Sequence, residues 1–591
     1  MMNIEENDAG IRAAGDWYRL EVNRDDPLWA TLHVEGTRAA TLFVPSSVDA
    51  SAGGDMVGPP ANWRLERDEA TGRLTAEGDS SVWARKRYVF ECADDWLTYG
   101  VEVEGSGRIE TLHFFEGFLK NSLDRYDLKP GDFLPQRRFW RPLKDWLTGS
   151  VPGFVEVFNP EPIRTLNQCI PAFEASGISV TNTRVNEHGS WFFTPGPLCF
   201  CLHVGEKWVA VGVVAKPGEN SFADFEYTGG ELFGFQLTYD GHAHVEGTWQ
   251  SPKLVFLLAD NEYAAVERYV AWLREHGYVP VPQRAIPSWW RRPILCGWGE
   301  QCHLRELNGA EQAAIYATQE IYERFVGIAK EKQLPFGTLV IDDKWQDFYG
   351  LNRPDTEKWP DLRGFIDRMA AEGIHVLLWY KAWYVDGVPP EECILKDGEP
   401  LRVDPTNPAF EQRLREQVRF MLSPDEGCLN AAGFKVDCTN LIAAGPGCRL
   451  HDDTVWGLEL MKRLLSIIYS AAKEAKPDAM IITHTANPYL GDVTDVLRLN
   501  DISSDLRSVV PVMEHRAKIA RIACPEWLID CDNAPLTNLE AWREYIECQP
   551  VLGVPSLYYL TSLEAEGTEF TESDYELIRR VWGEYLDTLE G

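Results

Sequence analysis

The chain has 591 residues, 45% of them hydrophobic and 25% charged, with a formal net charge of −34 at neutral pH. That length exceeds a single ordinary core, so two or more domains are expected. The charge argues against nucleic-acid partners, as does the lack of any basic run or zinc-finger spacing, and no apolar run approaches the ~18 residues of a membrane span.

The first residues, MMNIEENDAGIRAAGDWYRL, are acidic and polar and carry no basic segment leading into an apolar one, so a cytoplasmic protein is expected. Thirteen scattered cysteines without CxxC pairs fit reduced thiols better than a disulfide framework or a structural metal.

From about residue 17 to 258 short alternating runs are broken by Gly, Asp, Asn and Pro. ARKRYVFECADDWLTYGVEVEG, RIETLHFFEGFL, KWVAVGVVAK and PKLVFLLAD are rich in Val, Phe, Tyr and Leu, as half-buried strands should be. Such a series without long helices predicts a large antiparallel β-sandwich over residues 1–282, ending in a helix over 261–277. Pro280, Pro282 and Pro287 in YVPVPQRAIP then stiffen the chain into a linker.

From 283 to 591 the texture changes. Short apolar strands alternate with amphipathic stretches at 309–331, 361–372, 408–422 and 453–475, the pattern of parallel βα units. Eight strand candidates follow one another: PILCGWG, FGTLVIDD, HVLLWYKAW, GFKVD, AMIITHT, VLRLND, EWLIDCD and PSLYYL. Eight such units predict an α/β fold, a (β/α)8 TIM barrel behind the sandwich, with YELIRRVWGEYLDTLEG as the last barrel helix. A doubly wound sheet is the alternative, but GWGEQCH does not supply its GxGxxG turn.

Catalytic groups of such a barrel sit at the C-terminal strand ends, and polar residues gather there: Asp342 and Asp343, Trp379 and Lys381, Lys435 and Asp437, His484, Arg498 and Asp501, Asp530 and Asp532. Alternation places Lys435 and Asp437 on one side of their strand, and Trp379 and Lys381 likewise. A cation beside Asp437 would keep it ionised, as a nucleophile must be; the bland reading is a structural ion pair at the rim. Carboxylates facing one pocket, with Trp298, Trp345 and Trp379 near them, suit a sugar: aromatic faces cover its apolar side and acids accept from its hydroxyls. His484 reads first as a satisfied core histidine, and its place at a strand end keeps a sugar contact as the second reading. Asp530 and Asp532 with His484 could hold a divalent ion, but no HxH or HExxH spacing supports it, and no metal or cofactor is expected.

LVIDDKWQ is similar to the IDD-x-W strand of glycoside hydrolase families 27 and 36, and GFKVD resembles the K-x-D nucleophile strand that these share with family 31. The order of sandwich and barrel resembles family 36 most closely. The resemblance implies a retaining exo-α-glycosidase, α-galactosidase-like, acting on an oligosaccharide or glycoside. It implies Asp437 as nucleophile, Lys435 on ring hydroxyls, and Asp342 and Asp343 on the hydroxyls at C4 and C6. The acid/base follows an arginine on strand six, which makes it Asp501 after Arg498; the gap in the relatives is typically four, which leaves Asp505 as the alternative. THTANPYL lacks the acidic or cysteine-rich sugar-recognition pattern of a standard α-galactosidase. An α-glucosidase or α-N-acetylgalactosaminidase of the clan, a raffinose-synthase-like transglycosidase and a carbohydrate-binding protein without catalysis are the alternatives. A homo-oligomer is left open.

Overall fold

The structure is a computed structural model that describes residues 2–25, 27–67, 71–119, 157–158, 176–179, 195–227, 234–499, 501, 509–533 and 536–590. The N-terminal part consists of antiparallel sheets. A five-stranded meander runs from Asn3 to Phe43, and a twelve-stranded sheet is built around the long strands Leu97–Phe114 and Phe235–Gln250. The two sequence runs on either side of Gly105 and Gly107 are thus one strand, and both glycines make room for the Trp83 ring. The sheets meet where the Tyr18 hydroxyl donates to the Ala93 carbonyl and the Trp17 indole to that of Asp95.

The helix Glu262–Glu275 begins at Asn261, whose side chain accepts from the Ala264 N–H, as an N-cap should. Its buried face, including Val266, Tyr269 and Leu273, lies on the twelve-stranded sheet. Beyond it the proline linker is pinned to the barrel by Arg284, which binds Asp495 at 2.9 Å and the carbonyls of Gly491 and Thr494.

Eight parallel strands follow: β1 (Ile294–Cys296), β2 (Thr338–Ile341), β3 (His375–Lys381), β4 (Gly433–Asp437), β5 (Met480–Thr483), β6 (Val496–Arg498), β7 (Leu528–Asp530) and β8 (Ser556–Leu557). They pair in the order β7-β6-β5-β4-β3-β2-β1-β8, and a bridge between Asp530 and Val554 closes the ring into a barrel. All eight sequence candidates are found here. The first is shorter than expected: GWGEQCH turns at Gly297 directly into the helix Trp298–Asn308. Between β5 and β6 the link is a short 3-10 segment, Pro488–Val493, in place of an α-helix. No helix among the described residues is long and apolar enough to cross a membrane, and the described cysteines are all free thiols.

Local chemistry fixes the barrel's register. Asp361, Asn407 and Asn538 cap the helices that start at Leu362, Pro408 and Leu539, each accepting a main-chain N–H of the first turn. At the start of β4, Gly433 has φ of 155° and a side chain there would lie 2.0 Å from the Met480 carbonyl of β5. Gly433→Ala therefore forces two central strands apart and should cost about 1–3 kcal/mol or more; an unchanged denaturant midpoint would contradict that packing.

The N-terminal sheets reach the barrel at the loop after β4. Asp240 accepts from the Gly445 N–H at 3.0 Å, and the His242 ring stacks on Trp456 at 3.9 Å. Glu459 accepts from the N–H groups of Gly218 and Asn220 at 3.0 and 2.9 Å. The sheet domain thus braces the face of the barrel on which β4 ends.

Candidate active site

Strand ends β4, β6 and β7 converge on one arginine. Arg498, the last residue of β6, is 1% exposed and binds three carboxylates: Asp437 at 2.9 Å, Asp501 at 3.3 Å and Asp532 at 2.6 Å. A buried guanidinium facing three acids is geometrically suited to hold them as one unit.

Asp437 ends β4 and keeps 14% of its side chain exposed. Its Oδ2 accepts from the Trp379 indole at 3.1 Å, and its Oδ1 from the Cys438 N–H at 2.9 Å, with His484 Nε2 at 3.5 Å. Burial alone would raise its pKa. Arg498, Lys435, His484 and the indole donor outweigh that and hold the carboxyl well below the usual carboxylate range. This acid is ionised at every physiological pH.

Asp501 has the opposite character. Burial, with Asp532 and Asp437 beside it, lifts its carboxyl to about 7 against the pull of Arg498 and Lys435. Its side chain is 28% exposed. One acid held ionised and one raised to about 7, bridged by a single arginine, form a pair suited to general acid/base chemistry. Asp505, the alternative, lies outside the described residues.

Lys435 does not stand beside Asp437. It lies two residues deeper in β4, 3% exposed, and its ammonium binds Asp342 Oδ2 at 2.7 Å. The closest cation to Asp437 is Arg498, and Lys435 acts on it only through space. Asp342 also accepts from the Cys296 thiol at 3.2 Å, and its N–H donates to the Tyr322 hydroxyl at 2.8 Å. The adjacent Asp343 is more open; it accepts from the Tyr349 hydroxyl at 2.7 Å and is raised to about 6, mainly by burial.

The three tryptophans separate. Trp379 reaches Asp437, as above. Trp298 is half-buried at the start of its helix. Trp345 is 0% exposed and gives its indole N–H to the Trp379 carbonyl at 2.9 Å, so it supports β3 from behind and offers no face to a ligand. Trp345 lies four positions past the end of β2, on a turn, where strand alternation does not fix where a side chain points.

His484 is buried, with Nε2 3.1 Å from the Thr439 hydroxyl beside Asp437. Asp532 holds Arg498, and Asp530 accepts from the Ser556 hydroxyl at 2.7 Å and is lifted to about 6, chiefly by burial and Asp532. Among the described residues no group of three His, Cys, Asp or Glu side chains is arranged to hold a metal ion. Lys381 lies against Tyr349 and Tyr384, two rings that sequence reasoning missed. Both sit on loops, where neither periodicity nor strand position marks them.

No family model matches this sequence, and no curated protein does. Solved structures do match. A family 31 sulfoquinovosidase from E. rectale has a TM-score of 0.59 at 12% identity, covering 100% of this chain and 83% of that one. An α-galactosidase from Lactobacillus brevis has a TM-score of 0.50 at 10% identity over 99% and 84%. A family 31 α-xylosidase from a soil metagenome has a TM-score of 0.50 at 12% identity over 100% and 85%. The chain shares their fold, and these matches do not favour family 36 over family 31.

Proposed function

We propose that this protein is a retaining exo-α-glycosidase of the clan that holds families 27, 31 and 36, with Asp437 as nucleophile and Asp501 as acid/base. The observation that carries the reading is the pair of opposed carboxyls on Arg498, one held anionic and the other raised to about 7. The named activities of proteins with this fold, a sulfoquinovosidase, an α-galactosidase and an α-xylosidase, support a glycosidase and span several sugars. The IDD and K-x-D strands make α-galactosides the first neutral substrates to try.

In the proposed reaction Asp437 Oδ2 or Oδ1 attacks the anomeric carbon while the Asp501 proton passes to the departing oxygen. The exocyclic C–O bond breaks and a β-linked glycosyl ester forms. Asp501, now a carboxylate, takes a proton from water, whose oxygen displaces Asp437 and restores the α configuration. Arg498 keeps the two acids together through both steps. Its contact with Asp437 also disperses the charge that returns to that carboxylate when the ester breaks. Lys435 and Asp342 form a buried, neutral pair at the floor, and Asp343 with Tyr349 offers hydrogen bonds to sugar hydroxyls.

The pH profile follows with its sign. Asp501 must carry a proton in the first step, so kcat/KM should fall as pH rises through about 7, while Asp437 stays ionised far below that. A profile flat from about pH 6 to about pH 9 would remove Asp501 as the donor. The reading as a whole is tested on a panel of aryl α-glycosides, with the first-formed anomer followed by proton NMR. An α product supports it; a β product would mean inversion, for which the carboxyls stand roughly 6.5–9.5 Å apart instead of about 5–5.5 Å.

A further inference from the structure

Three cations, Lys344, Lys381 and Arg402, gather around the rings of Tyr349 and Tyr384 without an ion pair among the described residues. Lys381 ends β3 and pairs in register with Asp437 of β4. Its ammonium lies 4.1 Å from the centre of the Tyr349 ring, 3.9 Å from Tyr384 and 5.8 Å from Trp379. Lys344 rests on the same Tyr349 ring at 4.5 Å. Arg402 lies within electrostatic reach of Tyr384 and Cys438 and donates to the main-chain carbonyls of Leu401, at 2.7 Å, and Leu441. Among the described residues none of the three makes an ion pair, although the chain holds 91 acidic residues against 57 basic ones.

The nearby acids make their hydrogen bonds elsewhere, and Lys381 acts on Asp343 only through space, lowering its pKa. Asp343 accepts from the Tyr349 hydroxyl, Asp437 is held by Arg498, and Asp386 accepts from the Tyr349 N–H at 3.4 Å. Aromatic faces hold an ammonium in place but do not neutralise it, and two ammonium groups on one phenol ring repel each other. Lys344, Tyr349, Lys381, Tyr384 and Arg402 are all half-buried, so the group is walled by protein yet open to a ligand. A neutral hexose gives such a corner only hydroxyl oxygens. An anion adds the Coulomb attraction of an ion pair to those hydrogen bonds.

We propose that this corner receives a negatively charged substituent on the non-reducing sugar, so that the substrates are α-glycosides of an acidic hexose bearing a carboxylate, sulfonate, sulfate or phosphate. The proposal rests on the glycosidase reading above. The Trp379 ring, which carries both the Lys381 contact and the Asp437 hydrogen bond, ties the recognised group to the reacting one.

The test compares kcat/KM for 4-nitrophenyl α-galactoside and α-glucoside with the corresponding uronides, 6-sulfates, 6-phosphates and the 6-sulfonate. At least one charged member should exceed its neutral counterpart on the order of 10- to 100-fold, and its identity distinguishes the sources of the anion. Lys381→Met should cut that ratio by roughly tenfold or more, Lys381→Arg should retain most of it, and added salt should narrow it. Neutral members cleaved as well as every charged one, or a Lys381→Met variant that lowers both classes equally, would overturn the proposal and leave the glycosidase reading standing. If no member is cleaved, the glycosidase reading fails instead. The comparison is then made by calorimetry with free galacturonate, glucuronate, galactose and glucose, and neutral binding equal to or tighter than acidic binding overturns the proposal.

Discussion

Replacing Asp437 by alanine removes turnover almost entirely, by roughly 10⁴-fold or more, while leaving the fold in place. The side chain is a surface of the site and not a strut: its exposed fraction is 14%, and its neighbours Arg498 and Trp379 keep other partners, Asp532 and the packing of β3. Because the depressed pKa means that the ionised carboxyl stabilises the fold, the variant should melt somewhat below the wild type while remaining folded. Azide, a small anion that fits the vacated space, should restore part of the activity and yield a β-configured glycosyl azide, because it attacks from the face Asp437 occupied. Retained activity without azide would take the nucleophile role away from this residue.

Arg498→Met acts on both stability and chemistry. It leaves Asp437, Asp501 and Asp532 facing one another without the cation that each of them touches. Removing one partner of a buried ion pair costs about 3–5 kcal/mol, and here three acids lose theirs at once. The sign at each acid follows from the cation's effect: Arg498 lowers Asp437 and Asp501, so both rise when it is gone. A proton donor that is harder to ionise moves the alkaline limb of kcat/KM upward from about 7, while a nucleophile easier to protonate raises the acid limb. The variant should therefore unfold at lower denaturant and show its remaining activity displaced toward higher pH. An unchanged pH profile would mean that the guanidinium does not couple the two carboxyls.

The barrel was legible because its strands are short continuous apolar runs ending in charge, and that boundary falls at the C-terminal rim of the barrel. GFKVD ends β4 at Asp437, and VLR ends β6 at Arg498. Partnerships across the barrel were not legible. Period-two alternation places Lys435 and Asp437 on one side, yet the two-residue difference in depth sends the lysine to Asp342 and leaves the aspartate to Arg498. Asp532 had no partner in the sequence reading because an acid near a strand end carries no mark of one; its partner is the arginine of the preceding strand. Trp345 and Tyr349 show the same limit from opposite sides. Both follow Asp343 in the loop after β2, and the loop turns the first into the core and the second toward the acid. In the N-terminal sheets, glycines inside a long strand look like a break unless the ring they accommodate, Trp83, is known.

The most direct measurement is capture of the glycosyl ester. A 5-fluoro α-glycosyl fluoride of the sugar that the panel selects should accumulate on the enzyme, and peptide mass spectrometry should find one glycosyl unit on the fragment containing Asp437. Loss of that label in Asp437→Ala would complete the assignment. A label on any other side chain, or full turnover of the reagent with a β product and no adduct, would contradict a double displacement through Asp437.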